Sequence, residues 1–245
     1  MTNVTVLNNI PLESSKGNTV IGLRSRMKYS RLIGALYLLG FVVYGGGFAL
    51  VSSVTHTPDF LSTMSAHQTT VALGAFLMLM TLMTDVWRAV LFFPILENHG
   101  KRTALTYLAA QIISVIFMDI GVLCLLMLIP LGQYGGEGWA KGLASLLTQS
   151  NTMAYQIGEM SLAVGSGFLW LLGFRIKLIP RWFSVWGMIG YAIFLSGTIA
   201  EIFGIHIGLM LSIPGGLFEV VLPFWLFIKG FEPEAYSGSA IGETR

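Results

Sequence analysis

The chain has little charge and almost no cysteine. Asp, Glu, Lys and Arg make up 11% of its 245 residues, whereas soluble domains carry about 25%. Its single cysteine, Cys124, excludes an intrachain disulfide and any site built from several cysteine ligands. The sequence also lacks Walker A, GxGxxG, GxSxG and CxxC motifs, so nothing indicates nucleotide-driven or serine-hydrolase chemistry.

Apolar residues dominate the rest. They form 54% of the sequence, and the mean hydropathy of the whole chain is +0.74. They lie in blocks of about 20 residues, which is the length that a helix needs to cross a bilayer. The blocks are too long and too continuously apolar for strands. We predict an all-α membrane bundle of six helices at about 30–54, 70–96, 104–130, 152–175, 182–203 and 206–229. We further predict a cytoplasmic polar tail at 1–27, a transmembrane domain at 28–231 and a disordered cytoplasmic tail at 232–245.

The distribution of lysine and arginine predicts the orientation. These residues gather in the N-terminal tail, the second and fourth connections and the C-terminal end, while the other connections hold only Lys141. The positive-inside rule therefore predicts a multi-pass cell-membrane protein with both termini in the cytoplasm. Basic residues placed beside helix ends are a topology signal, so no nucleic-acid partner is expected. The polar N-terminus contains no apolar core of a cleaved signal peptide.

Five acidic residues fall inside these apolar spans, with one arginine. They are Asp85, Asp119, Glu159, Glu201 and Glu219, and the base is Arg88. A charge at membrane depth costs roughly 2.5–3.5 kcal/mol on insertion scales, so such residues are candidates for function. Asp85 and Arg88 are three residues apart on one helix and can pair.

Depth counted along the spans divides the polar residues into two layers. We expect Asp85, Arg88, Gln111 and Glu219 in an inner layer, and Asp119, Glu159 and Glu201 in the outer half. Tyr155 and Glu159 share a helix face, which suits a pocket or, equally, hydrogen bonds between helices. For Glu201, contact with interfacial water is the simpler interpretation.

Pro214, Gly215 and Gly216 precede Glu219 in the last span, where they predict a kinked or broken helix beside a pocket. Broken membrane helices are tolerated where they line a cavity or are buried in protein. His67 and His206 are the remaining candidates for a metal site, but no local ligand spacing supports one. No cofactor is predicted.

Four stretches resemble a known family: residues 30–38, 93–96, 180–190 and 214–231. Over residues 28–231 the chain resembles a bacterial multi-pass family described as domain of unknown function 4386. The resemblance implies six or seven membrane helices and no assigned activity. Many members follow a tyrosine in the third span with arginine at +4 and glutamate at +7. Here Gln111 and Ser114 follow Tyr107, and we hypothesise that Arg88 supplies the base from the second span instead.

Three functions remain open from the sequence. The first is binding or transport of a small hydrophobic or cationic ligand, or of protons, at an acidic interior. The second is an intramembrane enzyme that uses carboxyl groups as general acid or base on a lipid-like substrate such as an isoprenoid. The third is a structural or immunity-type partner. Membrane lipid is the expected neighbour in each case, and the sequence decides neither the ligand nor the oligomeric state.

Overall fold

The computed structural model describes residues 12–237, and the side chains of residues 25–237. Within that part the chain forms only helices and turns, and five helices are long and apolar enough to cross a membrane. The helices are α1 (Leu12–Thr55), α2 (Phe60–Leu126), α3 (Leu128–Leu131), α4 (Gly138–Ile176), α5 (Arg181–Ile202), α6 (Gly208–Ile228) and α7 (Pro233–Ser237), with a 3-10 turn at Gly132–Tyr134. The prediction of an all-helical membrane protein is confirmed.

Helix α2 bends back on itself at Gly100, whose backbone is extended (φ −174°, ψ 74°). The rings of Phe92 and Tyr107 lie 5.8 Å apart, whereas fifteen residues of straight helix would separate them by about 22 Å. The helix therefore has two arms that run side by side, which we call the first arm (60–99) and the second arm (101–126). The side chain of Leu172 packs against Gly100 at the bend.

The long helices form a closed ring in which α1 packs on α2, α2 on α4, α4 on α5, α5 on α6 and α6 on α1. Two glycine pairs allow the closest approaches. A Cβ on Gly47 of α1 would lie 2.5 Å from the carbonyl oxygen of Gly74 in α2, and a Cβ on Gly190 of α5 would lie 3.0 Å from Gly215 Cα in α6. These crossings bring backbones together without side chains between them.

One end of the ring, which we call the basic end, gathers residues 26–31 of α1, the bend of α2 and residues 231–236. The Ser30 hydroxyl accepts a hydrogen bond from Phe231 N at 3.0 Å. His99 Nε2 lies 2.8 Å from the Ala235 carbonyl oxygen, and Glu232 N donates to the Leu178 carbonyl at 2.9 Å. The basic residues that flank these contacts are Arg26, Lys28, Arg31, Lys101, Arg102, Arg175, Lys177, Arg181 and Lys229.

The opposite end is held by polar contacts between connections. Lys141 Nζ donates to Asp59 Oδ1 at 2.7 Å, and this hydrogen bond, with the ammonium charge, holds the pKa of Asp59 below its usual range. Glu201 Oε1 accepts a hydrogen bond from Gly208 N at 2.8 Å, and Glu201 Oε2 lies 3.0 Å from His206 Nδ1. Glu201 therefore caps the first turn of α6, whose backbone N–H groups have no partner within the helix.

The structure differs from the prediction in several places. Helices α1 and α2 begin at Leu12 and Phe60, before the spans predicted from 30 and 70, so residues 12–27 of the predicted polar tail are helical. Helix α4 begins at Gly138, well before the predicted span, because the residues before 152 continue the same helix. Helix α6 runs unbroken through Pro214 and Pro223, so of the predicted kink or break the break does not occur. Residues Pro233–Ser237 form a short helix with Ala235 and Tyr236 buried, where a disordered tail was expected. Residues 1–11 and 238–245 of the predicted tails at 1–27 and 232–245 lie outside the described residues.

Candidate functional site

A cavity of about 280 Å³ lies at the centre of the ring, and each of the long helices contributes to its wall. Three carboxyl groups, one guanidinium and four tyrosines line it among apolar side chains. The polar side chains are those of Tyr37, Tyr44, Thr81, Asp85, Arg88, Tyr155, Glu159, Tyr191, Ser212 and Glu219. Acidic groups thus outnumber basic groups among the described residues of its wall.

Arg88 is the only basic residue that the described part of the chain places in the cavity wall, and its side chain is 5% exposed. Arg88 Nη1 lies 3.1 Å from Asp85 Oδ1, one turn earlier on the first arm. The guanidinium carbon also lies 4.0 Å from the centroid of the Tyr37 ring in α1. The guanidinium therefore contacts both a carboxylate and an aromatic ring, a favourable arrangement for a buried cation.

The second arm of α2 presents Tyr107, Gln111 and Ser114 to the bundle interior, each 1% exposed. They follow one another at i, i+4 and i+7, so they share a helix face. The Tyr107 hydroxyl faces Arg88 and Gln111. Both amide atoms of Gln111 and the hydroxyls of Tyr107 and Ser114 make no hydrogen bond of ordinary geometry within the described residues. Arg88 does face the interior near Gln111, as the hypothesis about its position requires.

Glu219 and Glu159 reach the cavity from different sides of the ring. The Tyr191 hydroxyl in α5 donates a hydrogen bond to Glu219 Oε1 in α6. The Tyr155 hydroxyl faces the Glu159 carboxyl one turn away on α4, and the Tyr155 ring stacks on Tyr44 of α1 at 6.1 Å between centroids. Each of these two carboxyl groups thus has a tyrosine hydroxyl beside it, and no basic side chain pairs with either within 4.0 Å in the described part of the chain.

Some of the predicted site residues line the cavity, and the others lie elsewhere. Asp85, Arg88, Tyr155, Glu159 and Glu219 line the cavity, which spans the two layers expected from sequence. Gln111 lies beside it, next to Tyr107. Asp119 does not line the cavity, and its buried Oδ1 has no hydrogen-bond partner among the described residues.

The two histidines lie apart from the cavity. His67 is exposed and its Nδ1 lies 3.1 Å from the Thr63 carbonyl oxygen, while His206 contacts Glu201. Within residues 25–237, no three His, Cys, Asp or Glu side chains are grouped as a metal site would require.

Sequence reasoning did not single out Tyr37, Tyr44 or Tyr191. Tyr37 and Tyr44 are seven residues apart on α1, so their shared face was visible as a helical spacing. Tyr191 carried no such signal, because its partner Glu219 lies on the next helix, 28 residues away.

One family model matches residues 32–230, and its description reads Domain of unknown function (DUF4386). The chain belongs to this family. The match covers every residue that lines the cavity, and it confirms the resemblance noted from the sequence. No curated protein and no solved structure matches the chain. Membership therefore identifies a helical membrane family and leaves the ligand to be inferred from the cavity.

Proposed function

We propose that this member of the family binds a small organic cation with apolar substituents inside its membrane bundle. One observation carries the proposal: among the described residues, a single cavity holds three carboxyl groups, Asp85, Glu159 and Glu219, against one basic residue, Arg88. Because Arg88 is paired with Asp85, the other two carboxyl groups are available to a positively charged ligand. Charged groups kept in the apolar interior of a membrane bundle usually serve a ligand, an ion or a proton.

The tyrosines select among cations. Electron-rich ring faces attract ammonium groups, and aromatic side chains are the usual wall of quaternary ammonium sites. The cavity already contains this interaction once, between Arg88 and the Tyr37 ring. Its size of about 280 Å³ and the apolar side chains between the polar ones favour an organic ammonium over a bare metal cation.

Equilibrium binding of radiolabelled phenyltrimethylammonium to the purified protein in nanodiscs tests the proposal. We expect saturable binding, and a roughly tenfold or larger loss of affinity in both Glu159→Gln and Glu219→Gln, equivalent to about 1.4 kcal/mol or more. The glutamine side chain keeps nearly the same volume and removes the negative charge. Asp119→Asn is the matched control, since it removes a carboxyl group outside the cavity wall, and its affinity should stay within about twofold of the parent protein.

Two results would contradict the proposal. One is that the probe fails to bind in a saturable manner to a protein that elutes as a single folded species. The other is that Asp119→Asn weakens binding as much as the two glutamate variants do, because the effect would then follow overall charge and not the cavity.

A second candidate function is acid–base catalysis on a lipid-like substrate. It is favoured by the Tyr191–Glu219 pair, in which a hydroxyl donates to a carboxyl group inside the cavity, an arrangement that suits proton transfer. Mass spectrometry of the probe and of added isoprenoid alcohols after incubation distinguishes the two functions. Chemical turnover that Glu219→Gln abolishes would support the enzyme, whereas recovery of unchanged compounds supports binding alone.

We also propose that the bundle crosses the cell membrane six times, with the basic end in the cytoplasm. The two arms of α2 would account for two crossings, and the basic residues at one end follow the positive-inside rule. In a Cys124→Ala background, we expect Lys141→Cys to react with a membrane-impermeant maleimide on intact cells. Lys101→Cys and Arg181→Cys should react only after permeabilisation. Labelling of Lys101→Cys on intact cells would refute this topology.

A further inference from the structure

The contact between α1 and α6 is tight at one end of the ring and open at the other. Towards the basic end, a Cβ on Gly34 would lie 3.2 Å from the Pro223 carbonyl oxygen, and Arg31 Nε donates to the Phe227 carbonyl at 3.3 Å. Farther from that end, a Cβ on Gly45 of α1 or on Gly216 of α6 would have no described heavy atom within 4 Å. The helices thus leave a gap where two side chains are missing.

This gap leads into the cavity. Gly45 and Gly216 both line its wall. Phe41, one turn before Gly45 on α1, also lines the cavity and yet is 41% exposed on the outside of the bundle. Ile213 and Leu217, which flank Gly216 on α6, are 61% and 52% exposed. An apolar surface therefore runs from the outer side of α1 and α6 to the carboxyl groups inside.

The neighbouring sides of the cavity are closed. On the α1–α2 side, Gly47 and Gly74 bring the two backbones into contact, and a Cβ on Gly40, which lines the cavity, would lie 3.7 Å from Thr84 Oγ1. On the α5–α6 side, Gly190 and Gly215 bring the two backbones into contact. Four glycines line the cavity, and only Gly45 and Gly216 among them would carry a Cβ into open space, so the α1–α6 side is the open one among the described residues.

We infer that the ligand is an amine-bearing membrane amphiphile that enters sideways from the bilayer through the α1–α6 gap. Its cationic head group would lie between Glu159 and Glu219, and its hydrocarbon chain would remain in the gap beside Phe41, Gly45 and Gly216. The apolar surface of the gap suits a chain that stays in lipid, and the excess of carboxyl groups suits a positive head group. This inference rests on the proposed cation binding and adds the chemical class of the ligand and its route.

Two competitors with the same head group separate the effect of the hydrocarbon chain on binding from the effect of the charge. In nanodiscs of neutral phosphatidylcholine, butyltrimethylammonium and hexadecyltrimethylammonium compete with bound phenyltrimethylammonium. We expect Gly45→Leu and Gly216→Leu to raise the concentration of the long-chain competitor needed for half displacement at least tenfold more than that of the short-chain competitor. Partition of the long chain into the bilayer is the same for every variant, so it cancels in this comparison.

Gly46→Leu is the matched control. Gly46 is adjacent to Gly45, and a Cβ there would also have no described heavy atom within 4 Å, but this residue does not line the cavity. We expect both competitors to reach half displacement in this variant at the same concentrations as in the parent protein. Because the Cβ of the new residue meets open space in all three variants, we expect folding to be preserved, and size-exclusion chromatography checks this.

The outcomes separate this inference from the function on which it rests. Suppose that Glu159→Gln and Glu219→Gln weaken the binding of both competitors, while the Gly45 and Gly216 variants change the binding of the short-chain and long-chain competitors equally. The gap is then not the route, and cation binding stands. If the glutamate variants bind both competitors as tightly as the parent protein does, the proposal of cation binding in the cavity is wrong, and the inference is wrong with it. A Gly46→Leu variant that behaves like Gly45→Leu would also overturn the assignment of the gap.

Discussion

Replacing Gly47 with leucine is expected to cause a large loss of folded protein. The first atom of the new side chain would lie 2.5 Å from the Gly74 carbonyl oxygen and 3.0 Å from Met78 Cγ. The nearer obstacle is backbone, so it cannot rotate away, and α1 must move off α2. Overpacking a well-packed core typically costs about 1–3 kcal/mol, and separating two helices along their crossing adds lost packing to that cost.

Thermal unfolding monitored by the appearance of aggregates on size-exclusion chromatography measures this effect. We expect a markedly lower midpoint for Gly47→Leu and for the reciprocal Gly74→Leu, whose Cβ would lie 2.7 Å from the Gly47 carbonyl oxygen. Gly46→Leu should match the parent protein, because a Cβ at this position meets open space. Equal midpoints for the Gly46 and Gly47 variants would show that the two helices do not cross at this point.

Arg88→Met is the second substitution with a large expected effect. It leaves Asp85 buried without its partner at 3.1 Å and removes the only basic side chain that the described residues contribute to the cavity wall. Breaking a buried ion pair from one side typically costs about 3–5 kcal/mol, because an uncompensated charge stays behind. We therefore expect Arg88→Met to lower the unfolding midpoint more than Asp85→Asn does, since three carboxyl groups then share the cavity without the guanidinium.

A double-mutant cycle tests this explanation. If the loss comes from the stranded charge on Asp85, the Asp85→Asn/Arg88→Met protein should be more stable than Arg88→Met alone, since both members of the pair are then neutral. If the double variant is instead less stable than the parent protein by the sum of the two single effects, the two side chains act independently. In that case the packing of Arg88 on Tyr37 would be the main contribution of this residue.

Much of the fold could be predicted because membrane helices leave a strong signal in sequence. The apolar runs predicted helices in the right regions, and the i, i+3 spacing predicted the Asp85–Arg88 pair, which the structure contains. The helix ends were harder. Residues 138–151 mix glycine and polar side chains with apolar ones, and only the continuous backbone of α4 shows that they belong to one helix.

The site was only partly predictable, because its members come from different helices. Rise along each helix predicts depth but not rotation, so nothing in the sequence showed that Glu159 turns towards the cavity that Glu219 lines while Asp119 does not. Likewise, the sequence around Pro214 indicated a special segment, but the structure shows its use. Gly215 packs on α5, and Gly216 borders the gap beside α1.

The hydrogen bond between Ser30 and Phe231 joins positions 201 residues apart in the chain, and this has a consequence for biosynthesis. Chains fold from their N-terminal end as they are made, so α1 must wait for nearly the whole polypeptide before α6 arrives beside it. Until then the cavity lacks the wall to which α6 contributes Glu219. The cavity is therefore complete only once nearly the whole chain has been made.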